Sequence, residues 1–253
     1  YTHLPMILAP DKTKLSKRHG ALAVTEYREE GYLPEAILNF VALMGWNPGN
    51  DQEVLSLDEM IKLFSLEKVQ KGGAVWNIDK LKWFNKHYMK LLTVEKMREE
   101  ILARFSDALR EKAQANSKIF EKIIPIIIDH ISTFGDVRAF AEAGEYDYFF
   151  KDPVYAREAL LWKDENEPAV AAQKLQKVLA LIDDIDEAFF VPETIKTAIW
   201  NYATEAGRGS VLWPMRYALS GRDKSPDPFT LANILGKKTT IHRITIAIKL
   251  LQE

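Results

Sequence analysis

Thr93-Val94-Glu95-Lys96-Met97-Arg98-Glu99-Glu100-Ile101-Leu102-Ala103-Arg104-Phe105-Ser106-Asp107-Ala108-Leu109 is the stretch that sets the fold class. Val94, Met97, Ile101, Phe105 and Leu109 recur every three or four residues, so one apolar stripe faces a core and charged side chains fill the remaining surface. Working outward, the segments 117–134, 136–143, 152–163, 168–182, 192–206, 210–219, 228–235 and 239–251 also read as helices. Strand patterns are nearly absent after residue 20, so the sequence predicts a mostly α protein. Asp147-Tyr148-Phe149-Phe150-Lys151-Asp152-Pro153 reads as a connection between two helical bundles, with the Phe149-Phe150 pair as packing between them.

Upstream of Thr93 the elements are shorter. His3–Ala9 is an apolar run with strand character, ended by the turn signal Pro10-Asp11. Its opening, Tyr1-Thr2-His3-Leu4-Pro5, has neither an initiator Met nor the basic and apolar regions of a signal peptide, and reads as a strand entered part-way. The expectation is therefore a chain that begins inside a longer protein. Thr25 reads as the cap of a short helix stopped by Gly31. Pro34 suits a first helical position, with Ile37, Phe40, Val41 and Met44 at helical spacing behind it and Gly45 at the end. Ser56-Leu57-Asp58-Glu59 is a capping box. Asn77-Ile78-Asp79 caps a helix running to about Leu91.

Composition sets outer bounds. The chain has 253 residues, 47% hydrophobic and 28% charged, with no cysteine and five histidines. Disulfides and thiolate zinc sites are excluded, and no HxxxH spacing occurs, so the expectation is no metal site. The longest apolar run, Ile123–Ile128, is interrupted by Pro125 and is far too short to span a bilayer; a cytoplasmic protein fits. The net charge of −2 does not announce a nucleic-acid binder. Local clusters do more: residues 68–92 hold six lysines against one aspartate, and Lys237, Lys238, Arg243 and Lys249 lie close together without an acid. Such clusters are either phosphate-facing stripes or solvated helix faces.

The segment Lys14-Leu15-Ser16-Lys17-Arg18-His19-Gly20 carries the sharpest chemistry. Its lysine ammonium groups act as point charges toward a polyphosphate, and the serine supplies a short donor. It lacks the GxxxxGK[ST] pattern of a Walker loop. The acidic residues Asp183-Asp184, Asp186-Glu187, Glu165 and Glu167 have no partner base and read as solvated surface, and no nucleophile–base arrangement stands out. The tryptophans Trp46, Trp83, Trp162 and Trp213 sit at helix ends or on apolar stripes and read mostly as core.

His3-Leu4-Pro5-Met6-Ile7-Leu8-Ala9-Pro10-Asp11 followed by Lys14–Gly20 closely resembles the signature HLPLILGPDGKKLSKRHG of glutamyl-tRNA synthetases, whose second part is that family's version of the class I KMSKS motif. The resemblance continues in family order through Tyr27–Phe40, Leu43-Met44-Gly45-Trp46, Leu66-Glu67-Lys68-Val69, Asn77–Trp83, Asn85-Lys86-His87-Tyr88, Leu212–Gly221 and Ile234-Leu235-Gly236-Lys237. It implies an ATP-phosphate loop and stem-contact domain over 1–92, then two helical anticodon-binding subdomains over 93–146 and 147–253. The helices select the bacterial branch, since the archaeal and eukaryotic branch uses β-barrels there.

By the same resemblance, Lys17 contacts the ATP phosphates, with Lys14, Ser16 and Arg18 assisting, and Leu4 to Ile7 flank the adenine. ATP and its Mg2+ are bound mainly by the upstream part of the family's catalytic domain, which carries the HIGH motif and the glutamate-binding arginine. No HIGH-like tetrapeptide occurs in this sequence, so the chain alone should not activate glutamate; no zinc site is expected. The implied partners are tRNA-Glu, ATP and glutamate, with no membrane, for a monomer. Asp129-His130-Ile131-Ser132-Thr133-Phe134 is the counterpart of the family's segment near the third anticodon base, without that segment's basic residues. His130, Ser132, Lys82, Lys86, Lys237, Lys238 and Arg243 are the tRNA-binding candidates. Two other readings compete. A non-catalytic helical RNA-binding or interaction scaffold explains the helices and basic stripes but not the ordered loop. A tRNA-modifying paralogue typically lacks the helical anticodon domain.

Overall fold

A computed structural model describes residues 6–19, 22–163, 165 and 167–253. Its elements are a short strand β1 (Ile7–Leu8), helices α1 (Val24–Glu29), α2 (Pro34–Gly45) and α3 (Leu57–Leu63), a second short strand β2 (Ala74–Val75), and then helices only. These are α4 (Ile78–Lys90), α5 (Val94–Leu102), α6 (Asp107–Ala115), α7 (Ser117–His130), α8 (Phe134–Glu142), α9 (Pro168–Asp183), α10 (Pro192–Ala206), α11 (Arg208–Ser220), α12 (Pro228–Leu235) and α13 (Lys237–Gln252). The mostly α expectation holds.

Most helix starts follow local chemistry. Ser56 Oγ accepts from the Glu59 N–H at 3.2 Å while Glu59 Oε2 accepts from the Ser56 N–H at 2.8 Å, completing the capping box. Asn77 Oδ1 accepts from the Lys80 N–H at 3.1 Å and opens α4. Pro34 is the first residue of α2. Helix α1 departs from expectation: its cap is Ala23, not Thr25, because the Glu26 carboxylate reaches back to the Ala23 N–H. The stripe from Val94 to Leu109 is carried by two helices. Arg110 closes the end of α5, donating to Leu102 O at 2.9 Å and Phe105 O at 3.0 Å, and Ser106 Oγ accepts from the Leu109 N–H at 3.3 Å to start α6.

The chain forms two compact units. One comprises 1–110 and 124–143, the other 111–123 and 144–253, with α6 and α7 contributing to both. The sequence placed its boundaries at 92/93 and 146/147. Within the first unit two glycines meet. The Phe134 N–H donates to Gly31 O at 3.2 Å and the Gly135 N–H to Glu30 O at 3.1 Å, so the end of α1 satisfies amides that α8 leaves open. A Cβ on Gly31 would lie 2.5 Å from Gly135 N, and one on Gly135 would lie 2.5 Å from Glu30 O. Gly31 also sits at φ +79°, the left-handed region. The core of this unit gathers Tyr27, Tyr32, Ala36, Phe40, Leu81, Phe84 and Tyr88, with Trp76 edge-on to Phe40 at 4.9 Å. A neighbouring cluster holds Trp46, Leu55 and Met60.

In the second unit α9 packs along α13, and α11 packs on both as well as on α10 and α12. The predicted helix over 152–163 does not form; only a short 3-10 turn, Arg157–Leu160, is present. Tertiary contacts override local propensity there. The Trp162 ring lies so close to α11 that a Cβ on Gly209 would be 2.4 Å from it, and Trp213 Nε1 donates to Ala159 O at 3.0 Å. Lys163 completes the departure at φ +45°. Tyr148 and Phe149 are buried within this same unit, so the Asp147–Pro153 segment is part of its structure and not a free connection. No helix among the described residues is long and apolar enough to cross a membrane.

Candidate nucleic-acid interface and phosphate loop

The loop expected to hold phosphate is built on β1. β1 pairs in parallel with β2, Ile7 with Ala74 and Leu8 with Val75. After Ala9 the chain reverses: the Ala9 N–H donates to Thr13 O at 2.8 Å, the Lys12 N–H to Ala9 O at 2.8 Å, and the Leu15 N–H to Ile7 O at 3.1 Å. Asp11 Oδ1 accepts from both the Thr13 N–H at 2.9 Å and the Thr13 hydroxyl at 2.7 Å. That hydroxyl bond is the chief reason the Asp11 carboxyl is held below its ordinary range. Lys12 takes φ +66° at the turn.

Lys17–His19 then forms one 3-10 turn. His19 ties the loop to itself: Nδ1 lies 3.0 Å from Ser16 Oγ and Nε2 lies 3.6 Å from Asp11 Oδ2. The cations are left out of this network. Lys14, Lys17 and Arg18 are exposed, and none forms an ion pair with a described residue. A loop whose neutral and acidic groups are mutually satisfied while its cations face solvent has the donor set a polyphosphate needs. Ile7 is half-buried in β1. Leu4 and Gly20 lie outside the described residues.

The second site is one face of α4. A polar core fixes that helix. Asn85 Oδ1 accepts from the Leu33 N–H at 2.7 Å, and Asn85 Nδ2 donates to Ser132 O at 2.6 Å. Tyr88 Oη lies 2.8 Å from Asn39 Oδ1 and from Leu55 O. With Leu81, Phe84, Asn85, Tyr88 and Met89 buried, the opposite face presents Lys82, Trp83, Lys86, His87 and Lys90. Lys86 Nζ donates to Asp129 O, and Lys90 Nζ lies 3.1 Å from Asp129 Oδ1. The Lys90 bond holds the Asp129 carboxyl below its usual range. Both lysines therefore face the carbonyl-rich C-terminus of α7, where cations are favoured.

Four of the sequence candidates thus come together in one unit: Lys82, Lys86, His130 and Ser132. His130 Nδ1 donates to Ile126 O at 2.9 Å. Ser132 holds the turn through its backbone, its N–H donating to Asp136 Oδ2 at 2.7 Å. A cleft of about 270 Å³ in the same unit is lined by Arg104, Phe105, Ser106, Arg138, Ala141 and Glu142. Arg104 is committed there, to Glu100 Oε2 at 2.6 Å and over the Phe134 ring at 5.2 Å.

The candidates on α13 are used differently. Arg243 is only 3% exposed. Its Nε donates to Asp152 Oδ1 at 3.0 Å, and its terminal nitrogens donate to Tyr148 O at 2.8 Å, Leu219 O at 2.6 Å and Lys151 O at 2.8 Å. A guanidinium so enclosed ties α11, α13 and the 148–152 segment together and does not face solvent. Lys237 Nζ donates to Asp183 O and Ile185 O, both at 2.7 Å, and so satisfies carbonyls at the end of α9. Lys238 alone of the three is exposed. Burial of Arg243 had a signal: Thr240, Arg243, Ile244, Ala247, Ile248 and Leu251 form one helical stripe, and Arg243 lies on it. Trp83 was missed in the other direction. It is 49% exposed, not core. The flanking Lys82 and Lys86 mark its face as the outer one.

Residues 84–248 match the family model described as the anticodon binding domain. The chain belongs to that family. Residues 1–83 match the catalytic domain of class I tRNA synthetases (E and Q), so the order of the two matches is the order the motifs implied. Among curated relatives, a glutamate–tRNA ligase of Moorella thermoacetica is 34% identical over 263 residues, covering 100% of this chain and 51% of the relative. One from Francisella philomiragia is 35% identical over 252 residues, covering 98% and 52%. The crystal structure of a glutamate tRNA ligase from Elizabethkingia meningosepticum matches with TM-score 0.73 and 34% identity, over 98% of this chain and 51% of that one. The chain spans about half the length of the relatives it matches. The resemblance to glutamyl-tRNA synthetases, read from the motifs, is borne out at the level of family.

Proposed function

We propose that this chain supplies the ATP-phosphate loop and the tRNA-binding body of a glutamate–tRNA ligase, the enzyme that activates glutamate with ATP and transfers it to tRNA-Glu. The observation that carries this reading is the Lys14–His19 loop, with its cations unpaired among described residues, followed in one chain by a helical body of the anticodon-binding family. Lys17 contacts the ATP phosphates and stabilises departing pyrophosphate, with Lys14, Ser16 and Arg18 assisting and Leu4 and Ile7 beside the adenine. Mg2+ accompanies ATP and is held mainly by the part of the family's catalytic domain that this sequence lacks. Residues 1–92 hold the ATP-phosphate loop and the stem contacts, and 93–146 and 147–253 serve the anticodon arm. Lys82, Lys86, His130, Ser132 and Lys238 face the tRNA; Arg243 and Lys237 hold the fold. The protein acts as a monomer.

The test is binding of this chain to tRNA-Glu transcripts with native and altered anticodons across a salt series. Phosphate contacts give an affinity that falls steeply with salt. Anticodon reading costs about 1–3 kcal/mol for each disfavoured base, on the scale of base-pair discrimination in DNA. Binding that ignores both salt and anticodon would leave a helical interaction scaffold as the better description. ATP–pyrophosphate exchange by this chain alone should stay at background, because the HIGH motif is absent from the sequence.

A further inference from the structure

Trp83 is the most exposed of the six tryptophans, at 49%. A large aromatic ring left in water on a rigid helix forgoes burial, and such rings are enriched where a partner supplies the missing contact. The ring is not loose. His87, one helical turn on, is tilted by 31° to it, with centroids 6.1 Å apart. Phe84 buttresses it edge-on at 5.0 Å from the core side. The two rings make a ledge along α4. Lys82 stands before it and Lys86 and Lys90 beside and beyond it, all on the same helix face. Lys82 forms no ion pair with a described residue.

An exposed indole ring bordered by cations at helical spacing is an arrangement that binds unstacked nucleotides: the base stacks on the ring and the adjoining phosphates meet the ammonium groups. A protein partner would instead favour an uncharged apolar surround. We propose that Trp83 and His87 form a stacking ledge for a base that is unpaired in the bound RNA, with Lys82 and Lys90 holding the phosphates on either side. This rests on the reading that the chain binds tRNA, and it adds a sequence-tolerant base contact to the helix whose Lys82 and Lys86 that reading turns toward the tRNA.

The experiment measures binding of the full chain to a tRNA-Glu transcript and to a short oligouridylate, at several salt concentrations, for wild type and for Trp83→Ala, Trp83→Leu and Trp83→Phe. Trp83→Ala should weaken binding by roughly 5- to 150-fold, the range for one lost stacked base. Trp83→Leu keeps apolar area but has no π-face and should lose as much. Trp83→Phe should stay close to wild type, and its tryptophan emission should be quenched less by RNA than that of wild type. The salt slope should be the same in all four. If wild type binds tRNA-Glu and the Ala and Leu variants bind equally well, the ledge is refuted and the tRNA reading stands. If wild type binds the oligouridylate through Trp83 but does not prefer tRNA-Glu, the ledge stands and the tRNA reading falls. Binding of neither RNA overturns both.

Discussion

Helices α4 and α13 carry nearly the same cationic signature in sequence and use it in opposite ways. Lys80, Lys82, Lys86 and Lys90 of α4 all fall outside its buried stripe of Leu81, Phe84, Asn85, Tyr88 and Met89. On α13, Arg243 falls inside the stripe formed by Thr240, Ile244, Ala247, Ile248 and Leu251, and Lys237 is drawn onto the end of α9. The difference is one of phase, not of charge count. Where the cations fall outside the apolar period they stay at the surface, Lys82 with no ion pair among the described residues and Lys80, Lys86 and Lys90 in exposed contacts with Glu53 and Asp129. Where one coincides with it, the fold takes the cation for itself, because a buried guanidinium requires acceptors on every side.

The comparison breaks most visibly at Arg243. Arg243→Ala leaves the carbonyls of Tyr148, Lys151 and Leu219 without their donor and Asp152 without its main partner. A loss of about 3 kcal/mol or more is expected, since each buried carbonyl left without its donor costs about 1–3 kcal/mol. Urea denaturation measures it; a change within 1 kcal/mol, on the scale of ordinary surface substitutions, would show that the cluster is not structural. The same cluster has a pH signature. Burial alone would raise the Asp152 carboxyl, but the Arg243 bond and charge, followed by those of His242, outweigh it and bring it below the ordinary value. A lowered carboxylate contributes stability that is present above its unfolded pKa, near 3.9, and is lost as pH falls through its folded pKa. Asp152→Asn should therefore lose stability at neutral pH and flatten the acid limb of the stability curve below about pH 4. The side chain is 48% exposed. The effect should therefore not exceed about 1 kcal/mol. An acid limb identical to wild type counts against it.

Lys17 in the N-terminal loop is, like Lys82, a cation that the described fold does not occupy. In the full-length ligase proposed above, Lys17→Ala should slow glutamyl-adenylate formation by about 10²–10³, the scale of one lost transition-state donor. Single-turnover activation at the wild-type rate would remove Lys17 from that role. Lys237→Met makes the converse case. It should cost about 1 kcal/mol of stability through the two carbonyls it serves, with no change in the salt slope of tRNA binding. A shallower salt slope in this variant would return Lys237 to the RNA-facing set.

The parts legible in sequence were those fixed by local chemistry. The capping box at Ser56, the entry at Pro34 and the stop at Gly31 follow from a few adjacent residues, and the structure has each of them. What was not legible depended on distant groups. Nothing in 152–163 says that Trp162 must lie on Gly209, and that contact is what replaces a helix by one short turn. Likewise the approach of Gly31 to Gly135 joins segments more than 100 residues apart within the first unit. In the candidate sites, residue types were readable and availability was not. Lys86 and Arg243 are equally basic on paper, and only their partners separate a surface cation from a structural one.

The smallest effect tests whether availability is set by competition within the α4 face itself. Asp129 holds Lys90 through an ion pair whose side chains are 53% and 70% exposed. Exposed pairs of this kind contribute at most about 1 kcal/mol, because water and salt screen both partners. A phosphate can therefore displace the carboxylate, at the cost of that pair. Asp129→Asn removes the competitor and leaves the Asp129 carbonyl, and so the Lys86 bond, in place. RNA affinity should rise about two- to threefold at low salt, with a salt slope steeper by up to about 0.7–0.9, one additional phosphate contact. Lys90→Ala should lower both, and the double variant should match Lys90→Ala, since the acid acts only through that lysine. An Asp129→Asn variant that still gains affinity when Lys90 is absent would show that the acid repels RNA on its own account.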